Sequence, residues 1–164
     1  MTRTVETASD LVIRQASSDD VPAVVSLWNE VNEYHAELDP YFTALPNGGD
    51  EFETFVSEQI QSEQAVVWVA EEIGAVTGYC LAREGERPPC FPNRAFGQIL
   101  DMAVTARARR RGAGKALLRA TEQWFRDREI GRVELSVALK NELAQRFWSK
   151  MGYRSFVETR FRML

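Results

Sequence analysis

The sequence predicts an α/β or α+β fold built on a mixed sheet, and three observations predict it. Six runs carry strand patterning and four carry the three- and four-residue spacing of amphipathic helices. The stretch from Gly97 to Leu139 reads strand, loop, helix, strand, and a helix between two strands implies a right-handed crossover joining a parallel pair. Elsewhere the strands are linked as hairpins, so those pairs are antiparallel.

"LVIRQA" (Leu11–Ala16) is the first strand, and "SSDD" after it offers several N-cap side chains, with Pro22 tolerable only near a helix start. Val21, Val24, Val25, Trp28 and Val31 then follow at helical spacing. "ELDPYFTALPNGGD" breaks the helix with two prolines and a Gly-Gly pair, and Phe52, Phe55, Val56 and Ile60 mark a second one. "AVVWVAEE" and "AVTGYCLARE" form a hairpin turning at Ile73–Gly74, and "GERPPCFPNR" is a loop. "GQILDMAVT" (Gly97–Thr105) is a mostly apolar strand. Ala113, Leu117, Leu118, Thr121, Trp124 and Phe125 mark a third helix, which ends near Arg128. "RVELSVAL" is a further strand. "NELAQRFWSKM" is a short helix with Leu143, Ala144, Phe147 and Met151 on one face and Gly152 as its C′ residue. "YRSFVETRFRML" closes the chain as strand.

The chain has 164 residues, 45% hydrophobic and 27% charged, which is the composition of an ordinary globular protein with a sizeable core. We expect residues 1–10 to be a disordered leader and residues 11–164 a single domain. A net charge of −4 argues against non-specific nucleic-acid binding by the whole chain. No apolar run has membrane-spanning length, and "MTRTVETASD" lacks a secretory apolar segment, so a cytoplasmic protein is expected. Cys80 and Cys90 have no CxxC spacing and no histidine cluster beside them; free thiols and no metal site are expected.

Against this acidic background, "RARRRGAGK" (Arg107–Lys115) packs four arginines, two glycines and a lysine into nine residues. A loop that leaves a strand and opens a helix presents unpaired N–H groups and the positive end of the helix dipole, which is an anion site before any side chain is added. Gly112 and Gly114 let a ligand approach the backbone, and the arginines add bidentate phosphate donors. Two phosphate motifs fail. A Walker A loop requires glycine where Arg109 stands and Ser or Thr where Ala116 stands. A dinucleotide fingerprint requires glycine at Leu117.

The remaining pattern, Arg109-x-x-Gly112-x-Gly114, resembles the pyrophosphate loop of the GNAT superfamily of N-acetyltransferases. "ILDMAVTARARRRGAGKALLRA" is similar to that family's fourth strand, loop and third helix. "VELSVALKNELAQRFWSKMGYR" is similar to its fifth strand, the following Asn141, and Ala144, Phe147 and Gly152-Tyr153 at family spacing. "LVIRQASSDDVPAVVSLW" resembles its first strand and helix.

The resemblance implies the GNAT fold: a mixed, mostly antiparallel sheet of six to seven strands with a central parallel βαβ pair, flanked by about four helices. It implies acetyl-CoA as donor and an amine as acceptor, with direct attack in a ternary complex. Backbone groups at Met102, Ala103 and Val104 would pair with the pantetheine arm. The loop residues Arg109, Arg110, Arg111, Gly112, Ala113, Gly114 and Lys115 would hold the pyrophosphate, and Asn141 and Phe147 would also meet the cofactor. Asn141 can equally cap its helix, and the two roles are compatible. Arg107 can face water.

An alkylammonium with a pKa of about 10 is only about a thousandth neutral at pH 7, so its deprotonation represents roughly 4 kcal/mol. A carboxylate can relay that proton, directly or through water. Asp101, acidic within an apolar strand near the expected reaction centre, is the candidate base; a structural carboxylate is the alternative. Family members often take a proton for the departing thiolate from a tyrosine one residue after the helix phenylalanine. Here that residue is Trp148, whose indole is no acid at neutral pH. Trp148, His35 and Tyr41 are candidate acceptor-site residues, with Phe42 beside them; surface, capping or packing roles are the alternatives. Gln98 stands where some histone-acetylating relatives carry a glutamate base, and Glu134 reads as a structural strand residue. The substitution at Trp148 also leaves a second reading open, a catalytically weak acyl-CoA-binding sensor or scaffold. A homodimer is possible through an exposed edge at the chain end, where twelve residues follow Gly152.

Overall fold

The computed structural model describes residues 11–164, so the expected leader at 1–10 lies outside the described residues. Five strands form one sheet in the order β1 (Leu11–Gln15), β2 (Ala65–Glu72), β3 (Ala75–Glu86), β4 (Ala95–Val104) and β5 (Val133–Leu135). The first three neighbouring pairs are antiparallel, and β4 and β5 are parallel, joined over α3 (Ala113–Arg126). The crossover expected from the sequence is therefore present. Ile73 and Gly74, at φ 51° and 72°, make the hairpin turn in which both central residues take positive φ.

Both sheet faces are covered, which is why β2 is apolar at nearly every position. Val66, Ala70, Cys80, Ile99, Leu117, Leu118 and Phe125 form the core on the α3 side. Val24, Val56, Val67, Val69, Tyr79, Leu81 and Ala103 form the core under α1 (Val21–Leu38) and α2 (Gly48–Gln61). α1 begins after a 3-10 turn at Ser18–Asp20, with Pro22 in its first turn. Asp20 is fixed by Arg14, whose two terminal nitrogens each lie 2.8 Å from its carboxylate. α4 (Glu142–Lys150) follows β5, and Gly152 at φ 91° supplies its left-handed exit.

Three expectations need correction. The Gly48-Gly49 pair opens α2 rather than lying in the break before it. β5 keeps only three of the eight residues of "RVELSVAL". The closing segment 153–164 is not a strand, so among the described residues the sheet has five strands and not six to seven. One cause links the last two: β4 pairs with β5 only over Gly97–Ile99, before an irregularity in β4. A three-residue edge offers the tail too few ladder bonds to offset the entropy of ordering it. Phe156, Phe161 and Met163 stand exposed, and Arg132 lies over the Phe156 ring at 4.3 Å.

Candidate active site

The irregularity in β4 also aims the candidate base. Opposite β3, Leu81 pairs with Asp101 and the next residue, Ala82, pairs with Ile99, which leaves Leu100 as an extra residue. A bulge of one residue reverses the alternation of side chains beyond it. Ile99 packs on the α3 side and Leu100 on the α1 side. Asp101 then joins Leu100 on the α1 side, where its Oδ2 accepts a 2.7 Å hydrogen bond from the buried Tyr79 hydroxyl. Its Oδ1 accepts from the Met102 N–H at 2.8 Å. Burial pushes the Asp101 carboxyl above its ordinary range, partly offset by these two hydrogen bonds and by nearby His35. Burial, then the Asp101 charge, pushes the Tyr79 phenol well above 10.0, so it remains a donor. Each carboxylate oxygen has lone-pair capacity left for a further donor.

Beyond Ile99 the β5 side of β4 has no strand partner among the described residues, so Met102, Ala103 and Val104 border a gap. Arg109 Nε donates to Val104 O at 3.1 Å, folding that side chain back over the strand end. Glu30 on α1 holds the start of the loop: its two oxygens accept from Thr105 Oγ1 at 3.0 Å and from the Ala106 N–H at 2.9 Å. Arg110 and Gly112 take positive φ, 65° and 91°, and Gly112 is the N-cap of α3 without a side-chain cap. The helical ladder begins with Ala116 N donating to Gly112 O, so the N–H groups of Ala113, Gly114 and Lys115 have no partner within the helix. Left-handed residues beside an uncapped helix start form an anion-binding concavity. Arg111 leans toward the buried Glu72, 3.6 Å from Oε2, while Glu72 Oε1 has no hydrogen-bond partner among the described residues. A Cβ on Gly114 would stand 3.3 Å from Met102 Cε and 3.4 Å from Phe147 Cε2, so three predicted cofactor residues share one place.

Asn141 is buried and caps α4: its Oδ1 accepts from Ala144 N at 3.0 Å. Its Nδ2 lies 3.0 Å from His35 Nε2, and Lys140 Nζ lies 2.8 Å from Asp39 Oδ2. Two tethers thus join the end of α1 to the start of α4. Tyr41 and Phe42 are exposed on a 3-10 turn after α1, with Phe42 5.6 Å from the His35 ring. Trp148 sits apart from this group. It packs edge-on against Phe147 at 5.0 Å and Tyr153 at 5.1 Å and against the α3-side core, the face opposite the Asp101 carboxylate. Glu134 takes a hydrogen bond from Arg132 at 2.6 Å and Gln98 one from Arg83 at 3.3 Å, so both are held by neighbouring side chains. Tyr79, Glu30 and Glu72 carry no sequence signal of a role, because each lies in an ordinary strand or helix pattern.

The profile of the Acetyltransferase (GNAT) family matches residues 27–153. The uncharacterized N-acetyltransferase MJ1530 of Methanocaldococcus jannaschii is 32% identical over 145 residues, 88% of this chain and 78% of that protein. The fold is similar to that of a tetramutant of the BH1408 protein from Bacillus halodurans, with a TM-score of 0.83, 24% identity, and coverage of 93% of this chain and 99% of that one. It is also similar to the aminoglycoside N-acetyltransferase AAC(6')-Iy in complex with CoA, with a TM-score of 0.73, 17% identity, and 98% of each chain covered.

Proposed function

The chain belongs to the GNAT family of acetyltransferases, and from that premise we propose that it transfers an acetyl group from acetyl-CoA to a primary amine of a small molecule or peptide. The observation that carries this reading is that the uncapped first turn of α3 lies against the end of β4 that β5 leaves unpaired, with Gly114 facing Met102 and Phe147. In this reading the N–H groups of Ala113–Lys115 and the free guanidinium nitrogens of Arg109 and Arg110 bind the pyrophosphate. Met102–Val104 pair with the pantetheine arm as an added strand would. The similar aminoglycoside enzyme with bound CoA supports the donor.

The amine attacks the thioester carbonyl, the C–S bond breaks and CoA leaves as thiolate. Asp101 receives the proton that the ammonium must lose. Its raised pKa makes it a stronger base than an exposed carboxylate. Trp148 supplies no proton, and a thiolate with an ordinary pKa of about 8.5 can leave without one. Tyr41, Phe42 and His35 border the acceptor side. A cytoplasmic enzyme that pairs with a second copy through the exposed tail around Phe156 and Phe161 completes the proposal.

The test is thiol release from acetyl-CoA against a panel of amines. Release that depends on a particular amine supports the enzyme. Saturable acetyl-CoA binding without turnover on any amine supports the sensor, the reading that Trp148 favours.

A further inference from the structure

Asn141 can be oriented without ambiguity. Its Oδ1 accepts from the Ala144 N–H, so the group facing His35 is the carboxamide NH₂, which can only donate. His35 Nε2 must therefore carry a lone pair, and in the neutral ring the proton sits on Nδ1. Protonating Nε2 would turn two donors toward each other at 3.0 Å and leave the NH₂ of a buried residue without an acceptor.

We propose that His35 is a positioning residue: the neutral imidazole holds Asn141, and through it the start of α4, in the orientation that meets the donor, and its protonation releases that hold. The inference rests on the acetyl-CoA reading above. The tether itself runs from α1 to α4 and makes no hydrogen bond to β4. The charged and titratable groups facing His35 are Asp101 from β4, the Asp39–Lys140 pair from the turn after α1 and the β5–α4 connection, and Tyr34 on its own helix. The Asp39–Lys140 bridge is the parallel tether. It is more exposed, so it weakens with salt while the His35–Asn141 bond does not.

The consequence is a loss of acetyl-CoA affinity on acidification that belongs to His35. The test measures acetyl-CoA Kd by calorimetry from about pH 5 to about pH 8 for the wild type, His35→Gln and His35→Ala. Glutamine places an oxygen acceptor near the Nε2 position and does not titrate, so it keeps the tether and removes the switch. Alanine removes the tether. We expect wild-type affinity to fall about tenfold more than that of His35→Gln across this range, and His35→Ala to bind about tenfold more weakly than wild type at the high-pH end. Nitrogen chemical shifts of the imidazole should report the Nδ1–H tautomer at that end. Identical pH profiles for wild type and His35→Gln, or an Nε2–H tautomer, would overturn the role of His35 while leaving the donor reading intact. A folded wild type that binds no acetyl-CoA at any pH would overturn both.

Discussion

The Tyr79 hydroxyl donates to Asp101 Oδ2 at 2.7 Å from a ring with no solvent exposure. This hydrogen bond keeps a carboxylate in an otherwise apolar place, and it follows from the extra residue at Leu100, which turns Asp101 onto the Tyr79 side of the sheet. Tyr79→Phe removes the hydroxyl and leaves the packing. Because the bond favours the charged carboxylate, its loss raises the Asp101 pKa further. The acid limb of kcat/KM should move to higher pH relative to wild type; an unmoved limb would separate Tyr79 from the base.

Asp101→Asn tests the base itself. The side chain stays the same size but cannot take the proton, so kcat should fall by about a hundredfold or more. Acetyl-CoA Kd should stay within about twofold, because Asp101 faces the α1 side and its hydrogen bonds go to Tyr79 and Met102, not to the loop proposed to hold the pyrophosphate. Steady-state kinetics beside calorimetry reads both. Equal losses in Kd and kcat would mark Asp101 as a structural carboxylate.

Glu30 fixes the entry of the loop through two donors, Thr105 Oγ1 and Ala106 N. Glu30→Gln can accept only one of them well. We expect acetyl-CoA affinity to weaken about five- to tenfold, with kcat at saturating donor close to wild type. Titration calorimetry and saturation kinetics check the split.

Asp20 gives a stability prediction away from the site. The Arg14 guanidinium, followed by the Ser17 N–H, lowers its pKa from 3.8 to about 2. A depressed folded pKa stabilises the fold above the unfolded value, and that contribution is lost as pH falls from 3.8 toward about 2. Asp20→Asn should lower stability by about 2 kcal/mol at neutral pH, with the difference from wild type shrinking as acid protonates Asp20. Thermal melts at both ends of that window would show it.

Much of this architecture is legible in the sequence because burial writes it there. β2 is apolar on both faces, α3 shows its core stripe from Ala113 to Phe125, and the positive φ values at Gly74, Gly112 and Gly152 fall on glycine. The loop between β4 and α3 is legible through its glycines, with Gly112 at positive φ opening α3. The bulge at Leu100 is not, since "QILDM" reads as an unbroken strand and nothing in residue type marks where the register slips. Without the bulge, neither the partnership of Asp101 with Tyr79 nor the shortness of β5 can be foreseen. The pairing of His35 with Asn141 spans 106 residues and depends on how α1 and α4 meet, which local pattern does not encode. Trp148 stands one residue after the helix phenylalanine, and only packing shows it turned into the α3-side core.

The central claim is that the loop around Gly112 seats the pyrophosphate of the acetyl donor, and Gly112→Asp tests it most directly. A Cβ at Gly112 would meet nothing within 4 Å, and aspartate tolerates positive φ better than most residues, so the variant should fold at a cost of about 1 kcal/mol. Its carboxylate would stand at the uncapped helix start, where the phosphates must lie. Calorimetric titration with acetyl-CoA should show affinity at least about a hundredfold weaker than wild type, a loss of about 2.7 kcal/mol. A folded Gly112→Asp protein that binds acetyl-CoA as tightly as wild type would contradict the assignment.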